Sequence, residues 1–220
     1  MWRLREHKNG DAGERLLVHK SSKLIEFEPR RVSARTLFRK DDRVRITVET
    51  AHEGYLYVVD QEKYSNGKLG EPYLIFPVST IRAGENHLLP GQIVEIPAQD
   101  DDPPYFQIRT SRPDHIGEQL TILIAPRPLK DIFAMSNWQR LSLEQYAQLE
   151  RNSHISTGMA EMTAHLDSAW SKEEKNAGRT PTTALPATAP LPQTLFYSPG
   201  AGTQSPTIVK LVLKYVPQGR

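Results

Sequence analysis

The sequence predicts a mainly β protein, a mostly antiparallel β-sandwich with a small C-terminal helical appendage and a returning terminal strand. Three observations predict it. Between Arg43 and Ala125 apolar and polar residues alternate with a period of two, the imprint of strands with one face buried. Short runs rich in Val, Ile, Leu and aromatic residues recur there, separated by Gly, Pro, Asn and Asp turns. Far downstream, TIVKLVLKYV at 207–216 is a further alternating strand, and a strand needs a sheet to join.

The chain of 220 residues can bury one core of domain size with additions. Apolar residues make up 38% and charged residues 25%, enough to fold while leaving room for polar connections. A net charge of +2 suggests neither a nucleic-acid groove nor an anionic membrane surface. Charge is unevenly spread, with 13 Lys+Arg against 7 Asp+Glu in residues 1–45 and 7 against 13 in residues 46–135. Such stretches attract across a fold, form separate faces, or pair locally on a solvated surface. Cysteine is absent, which excludes disulfides, thiolate metal ligands and a thiol nucleophile. No apolar run reaches the roughly 20 residues of a membrane-spanning helix. MWRLREHKNG lacks the apolar stretch of a signal peptide, so an exported form would be one whose leader has been removed.

Along the chain, the first forty residues predict strands over Trp2 to Lys8, Leu16 to Lys20 and Lys23 to Glu28, the first two parted by Asn9, Gly10, Asp11 and Gly13. In DDRVRITVET, Val44, Ile46 and Val48 share the inward face, and Arg43, Arg45, Thr47 and Glu49 the outward one. In GYLYVVD both faces carry bulk, Tyr55, Tyr57 and Val59 on one and Leu56 and Val58 on the other. This is a central strand covered on both sides or a core strand with a tyrosine-rich outer face. PYLIFP, QIVEIP, PYFQIRT and GEQLTILIAP follow as strands, with Val94/Ile96, Phe106/Ile108 and Leu120/Ile122/Ile124 as inward sets. Residues 1–130 therefore form the sandwich domain.

Residues 131–178 read as the helical appendage. Ser142 followed by Gln145 is a capping-box pattern opening a short helix through Leu143, Tyr146, Ala147 and Leu149. A second helix is predicted from about Met159 to Asn176, because Met159, Met162, Leu166, Ala169 and Trp170 fall at steps of 3 or 4. Residues 179–206 are rich in Pro, Ala and Thr and read as an extended connector, with Leu195, Phe196 and Tyr197 as a local docking point. In the terminal strand over 207–220, Val209, Leu211, Leu213 and Tyr215 share one face.

Motifs of catalysis are sparse. No two histidines lie at the i, i+4 spacing of a zinc-binding helix, and nothing resembles a GxSxG nucleophile turn. Gly200 and Gly202 lack the strand and helix of a phosphate cradle. Asp100, Asp101 and Asp102, joined by Asp60, are weak candidates for a calcium site, because that ion favours several carboxylate oxygens. The alternating ligand spacing and glycine of an EF-hand are missing, and a solvated acidic loop explains the run as well. No cofactor is implied.

GYLYVVD, LIFP, PGQIVEIPAQ and LTILIAPRPL resemble, in order and spacing, the bacterial domain-of-unknown-function family 4384. The matching elements occupy Arg43 to Leu129. The resemblance implies an immunoglobulin-like sandwich found in bacterial proteins either alone, often exported, or appended to catalytic domains such as caspase-like peptidases and protein kinases; an extracytoplasmic location is the expectation, and this chain shows no accompanying enzyme domain. It brings no catalytic residues, and the helical segment, connector and last strand fall outside it.

The leading expectation is a non-catalytic interaction module binding an unidentified protein or polysaccharide. Its candidate surface is whichever of Tyr55/Tyr57 and Leu56/Val58 faces outward, with Tyr64 and Tyr73, since exposed aromatics beside charges suit recognition. The competing reading puts these tyrosines in the core or rim. A second expectation is a hydrolase using Asp60 with Asp100, Asp101 and Asp102. The third is a structural subunit that self-assembles by donating residues 207–216 to a neighbour's sheet.

Overall fold

A computed structural model describes residues 1–20, 23–33, 35–129, 137–155, 158–162, 165–179, 194–197 and 205–216. In chain order these carry β1 (Trp2–Glu6), β2 (Leu16–Lys20), β3 (Lys23–Arg31), β4 (Leu37–Phe38), β5 (Arg43–Val48) and β6 (Gly54–Tyr64). There follow β7 (Tyr73–Phe76), β8 (His87–Leu88), β9 (Val94–Ile96), β10 (Phe106–Gln107), β11 (His115–Ala125) and β12 (Gln139–Arg140). The remainder holds α1 (Leu143–Arg151), β13 (His154–Ile155), β14 (Gly158–Glu161), α2 (Lys172–Arg179), β15 (Thr194–Tyr197) and β16 (Thr207–Tyr215).

The fold is mainly β and sandwich-like, as expected. One sheet runs β10-β5-β1-β3-β2, with β9 also paired to β5; the other runs β12-β7-β6-β11-β16-β13, with β8 on β6 and β4 on β16. Long antiparallel ladders dominate the second sheet, β11 pairing with β6 on one side and β16 on the other. The main core lies between the sheets. Val44, Ile46, Leu56, Val58, Phe76, Leu88, Val94, Ile96, Leu120, Ile122 and Leu213 meet there, the inward parities their strands predict.

Both outer faces are covered as well. On the second sheet, Tyr57, Val59, Leu74 and Leu123 pack under Leu141 and the α1 residue Tyr146. Helix α1 begins where the capping box places it: Ser142 Oγ accepts from the Gln145 N–H at 3.1 Å, and Gln145 Oε1 accepts from the Ser142 N–H at 2.8 Å. β6 is thus the central strand covered on both sides, and the tyrosine-rich open face is not formed.

On the first sheet, Trp2, Leu4, Leu16, Val18, Phe27 and Trp170 make a third cluster. Arg45, expected to project into solvent, is 1% exposed. It ion-pairs with Glu95 at 2.6 Å and lies 5.5 Å from the Trp170 ring centroid. The cover comes from α2: Glu174 pairs with Arg31, and Gly178 lies against the Glu95 carboxylate. Sequence periodicity cannot show that a strand's polar face will be roofed by a distant helix.

The predicted second helix is corrected. Gly158–Glu161 is a strand paired with β15, Asp167 adopts φ 60°, and among the described residues of this stretch the helix is confined to Lys172–Arg179. A second capping box sets its start, with Ser171 Oγ accepting from the Glu174 N–H at 3.2 Å and Glu174 Oε2 accepting from the Ser171 N–H at 3.0 Å. The expected docking point Leu195, Phe196 and Tyr197 falls in β15, against β14; Gly200 and Gly202 lie outside the described residues.

β16 completes the chain's own sheet, antiparallel to β11 and parallel to β4 and β13 on its other side. Among the described residues no helix is long and apolar enough to cross a membrane.

Candidate functional site

The candidate site arises where the sandwich interior turns acidic. In β6 the inward parity reads Leu56, Val58, Asp60, Glu62, and in β11 it reads Ile124, Ile122, Leu120, Glu118. Register places Leu120 opposite Asp60, Glu118 opposite Glu62, and Leu213 of β16 opposite Glu118. Side chains directly opposite on antiparallel strands share a face. The greasy interior therefore ends in three carboxylates.

A cleft opens there, with about 60 Å³ of space for water-sized occupants, lined by Asp60, Glu118 and Tyr215 and by apolar side chains of β5, β7, β10 and β16. That is room for a few waters or a small chemical group. At its edge Trp138, 55% exposed, lies 6.3 Å from Phe106 between ring centroids.

The carboxylates are tightly held but incompletely partnered. The Tyr215 hydroxyl donates to Glu118 Oε1 at 2.6 Å. His115 Nε2 lies 3.0 Å from the Gly117 carbonyl and 3.1 Å from Glu118 Oε1. The Ser111 N–H donates to His115 Nδ1 at 3.2 Å, which leaves Nε2 as the N–H donor. Asp60 Oδ1 and Glu118 Oε2 are buried and have no hydrogen-bond partner among the described residues. Burial first, and then the Glu62 charge, pushes the Asp60 carboxyl up to about 7. Burial, with the Asp60 charge behind it, pushes Glu118 up to about 9 against the lowering effect of the Tyr215 hydrogen bond. Burial and mutual repulsion thus favour the protonated form of this carboxyl pair over the doubly ionised one.

A bulge shapes this end. The β6–β11 register shifts between His115 and Gly117, and a Cβ on Gly117 would stand 2.2 Å from the Leu213 carbonyl oxygen. Glycine is required there for β16 to approach closely enough to bring Tyr215 to Glu118. Outside the cleft, Glu62 receives the Tyr64 hydroxyl, and the Arg112 guanidinium sits 3.4 Å from the Tyr64 ring centroid while pairing with Asp114 at 2.8 Å. No family model, curated protein or solved structure matches the chain.

The sequence-predicted residues are dispersed. Tyr57 is 2% exposed and its hydroxyl accepts from the Leu129 N–H at 2.9 Å, so it is core rather than recognition surface. Tyr55 is half-buried with its ring centroid 5.0 Å from that of His87, Tyr64 belongs to the rim beside Glu62, and only Tyr73, 41% exposed, stands open. Asp60 does not meet Asp100, Asp101 and Asp102. Asp101 accepts from the N–H groups of Arg82 at 2.9 Å and Ala98 at 2.6 Å, and Asp100 faces Arg179 at 3.8 Å. These are turn-stabilising and surface roles, and the expected carboxylate grouping for calcium or hydrolysis is not formed. Among the described residues no group of three or more His, Asp or Glu is arranged to hold a metal ion. Glu118, Glu62, His115 and Tyr215 were missed by motif reasoning. Their signal was parity: acidic residues standing at inward positions of otherwise apolar strands.

Proposed function

We propose that the protein is a non-catalytic interaction module and that it engages a protein partner through the acidic cleft at the end of its sandwich. One observation carries this reading: an apolar, aromatic-edged cleft contains buried carboxylate oxygens that have no partner among the described residues. Buried polar groups are costly unless satisfied, and a surface that retains such a cost is positioned to have it met by a ligand. The exposed Trp138 beside Phe106 supplies the amphipathic contact that interface anchors favour. An immunoglobulin-like domain of an exported bacterial protein, as implied by the family resemblance, is a natural setting for such a module.

Site-directed photo-crosslinking tests it. With a photoreactive phenylalanine analogue at position 138, one protein from extracts of the source cells should be enriched as an adduct, and Asp60→Asn combined with Glu118→Gln should abolish it. Equal capture by both forms, or no enriched adduct, would remove the cleft from recognition.

A second reading draws on the same carboxyl pair. A buried, mutually coupled carboxyl pair with raised proton affinity is an arrangement that general acid–base hydrolysis can use. Substrate turnover abolished by Asp60→Asn alone and by Glu118→Gln alone would establish it in place of binding.

A further inference from the structure

We infer that the group accepted by the cleft is a primary ammonium on an alkyl stem, the side-chain chemistry of a lysine displayed by the partner. The inference rests on the binding reading above and names its ligand.

Three features point to that chemistry. Among the described residues, Asp60 Oδ1 and Glu118 Oε2 are unpartnered and become acceptors once ionised, and no lysine or arginine lines the cleft. The nearby Arg112 is committed to Asp114 and to the Tyr64 ring. Once ionised, the pair would therefore repel an anion and attract a cation. Next, the remaining walls are apolar, with Ile75, Phe106, Leu120 and Leu213 among them, and Trp138 stands at the edge. Such walls suit methylenes that carry a charged head inward, and an aromatic edge favours cations. Finally, the space is small, about 60 Å³ for water-sized occupants. A compact ammonium with three rotatable N–H donors can meet acceptors offered by two different strands, whereas a planar guanidinium demands matched parallel pairs.

Binding is coupled to protons. The titratable and charged groups that face the pair are Glu62 from β6, His115 from β11 and Tyr215 from β16, with Tyr64 and Arg112 outside; β5 and β10 contribute only Val44, Ile46, Phe106 and Gln107. Since burial and mutual repulsion favour a proton on the pair, an incoming ammonium gains two ionised partners only by displacing that proton into solvent. Affinity should rise as pH rises toward the range where Glu118 ionises.

The test is titration of the full chain with n-butylammonium, followed by amide and indole NMR, with n-butanol as the neutral isostere and n-butylguanidinium as the planar cation. Saturable shifts at Asp60, Glu118 and the Trp138 indole are expected for n-butylammonium within ~50 mM, the weak-affinity range of a single small group. n-Butanol should give none and n-butylguanidinium weaker ones. Affinity should increase between pH 6 and pH 8, and calorimetry in buffers of different ionisation enthalpy should register proton release. Asp60→Asn and Glu118→Gln should each weaken binding by about ten-fold or more, the size of a lost charge-assisted hydrogen bond. Trp138→Ala, at an exposed position where folding is not at stake, should weaken it by a smaller factor.

Equal shifts from n-butanol, unsaturable shifts, or full binding in a folded Asp60→Asn variant would overturn the inference. If photo-crosslinking remains dependent on the cleft while n-butylammonium does not bind, the ligand class is wrong and the binding reading stands. If neither depends on the cleft, both fall.

Discussion

Glu118 shows how one residue's environment reaches the stability of the chain. Its carboxyl is pushed from an ordinary 4.5 up to about 9, chiefly by burial. A carboxyl that is harder to ionise when folded leaves stability intact below the unfolded value and erodes it as pH climbs toward the folded value. Asp60, raised from 3.8 to about 7, acts in the same direction over a narrower window. Unfolding free energy should therefore fall from pH 5 to pH 8. Glu118→Gln should flatten much of that slope and stabilise the protein at pH 8 by roughly 1–3 kcal/mol, a discounted fraction of the shift at about 1.4 kcal/mol per unit. Urea denaturation at the two pH values checks it, and a variant with an unchanged slope would show that Glu118 ionises normally. The Arg45–Glu95 pair behaves differently. Burial raises Glu95 despite the adjacent guanidinium, and it lowers Arg45, so desolvation outweighs attraction. Arg45 Nη1 and Glu95 Oε1 find no further partner among the described residues. Glu95→Ala should cost about 3–5 kcal/mol by stranding the cation, while Arg45→Met with Glu95→Leu should be close to neutral. Denaturation midpoints of the three proteins separate these cases.

At the scale of elements, α2 depends on its cap. Only eight residues long, it is marginal alone and is held by packing over the first sheet and by the Ser171–Glu174 capping box. Ser171→Ala should loosen it by about 1 kcal/mol, visible as faster amide exchange in α2 and a change in Trp170 fluorescence with the strands unaffected. Uniform acceleration across β6 and β11 would mean that the helix does not open independently. The same helix marks how far the sequence could be read. Strand periodicity, the parity of Val44, Ile46, Leu120 and Ile122, and the Ser142 capping box are local signals, and each appears where it was expected. The stripe from Met159 to Trp170 was also local, but it competed with pairing to β15, some 35 positions away, and with the Ser171 cap that restarts the helix. Long-range pairing leaves no periodicity to read. The acid cleft stands between these extremes. Asp60 and Glu118 sit at inward parity in the sequence, yet only the β6–β11–β16 register brings them together with Tyr215.

For the whole molecule, the decisive element comes last in the chain. β16 fills the place between β11 and the pair β4 and β13, and its Val209, Leu211, Leu213 and Tyr215 face the main core. Its other side contributes fully buried Ile208 to the cluster beneath α1. Removing it would expose the β11 edge and open both cores at once, and each core side chain of this size is worth roughly 1.5–3 kcal/mol of burial. Several such losses together exceed the ~5–15 kcal/mol that holds a typical domain folded. A chain ending at Pro206 should therefore lose its cooperative thermal transition, as followed by circular dichroism, and bind a dye for exposed apolar surface. Supplying residues 207–216 as a separate peptide should restore the transition in proportion to peptide concentration, because the vacated edge is a template for one strand of defined register. A truncated chain that melts cooperatively without the peptide would mean that the first 206 residues close their own sandwich, and would return the terminal strand to the role of a donated subunit contact.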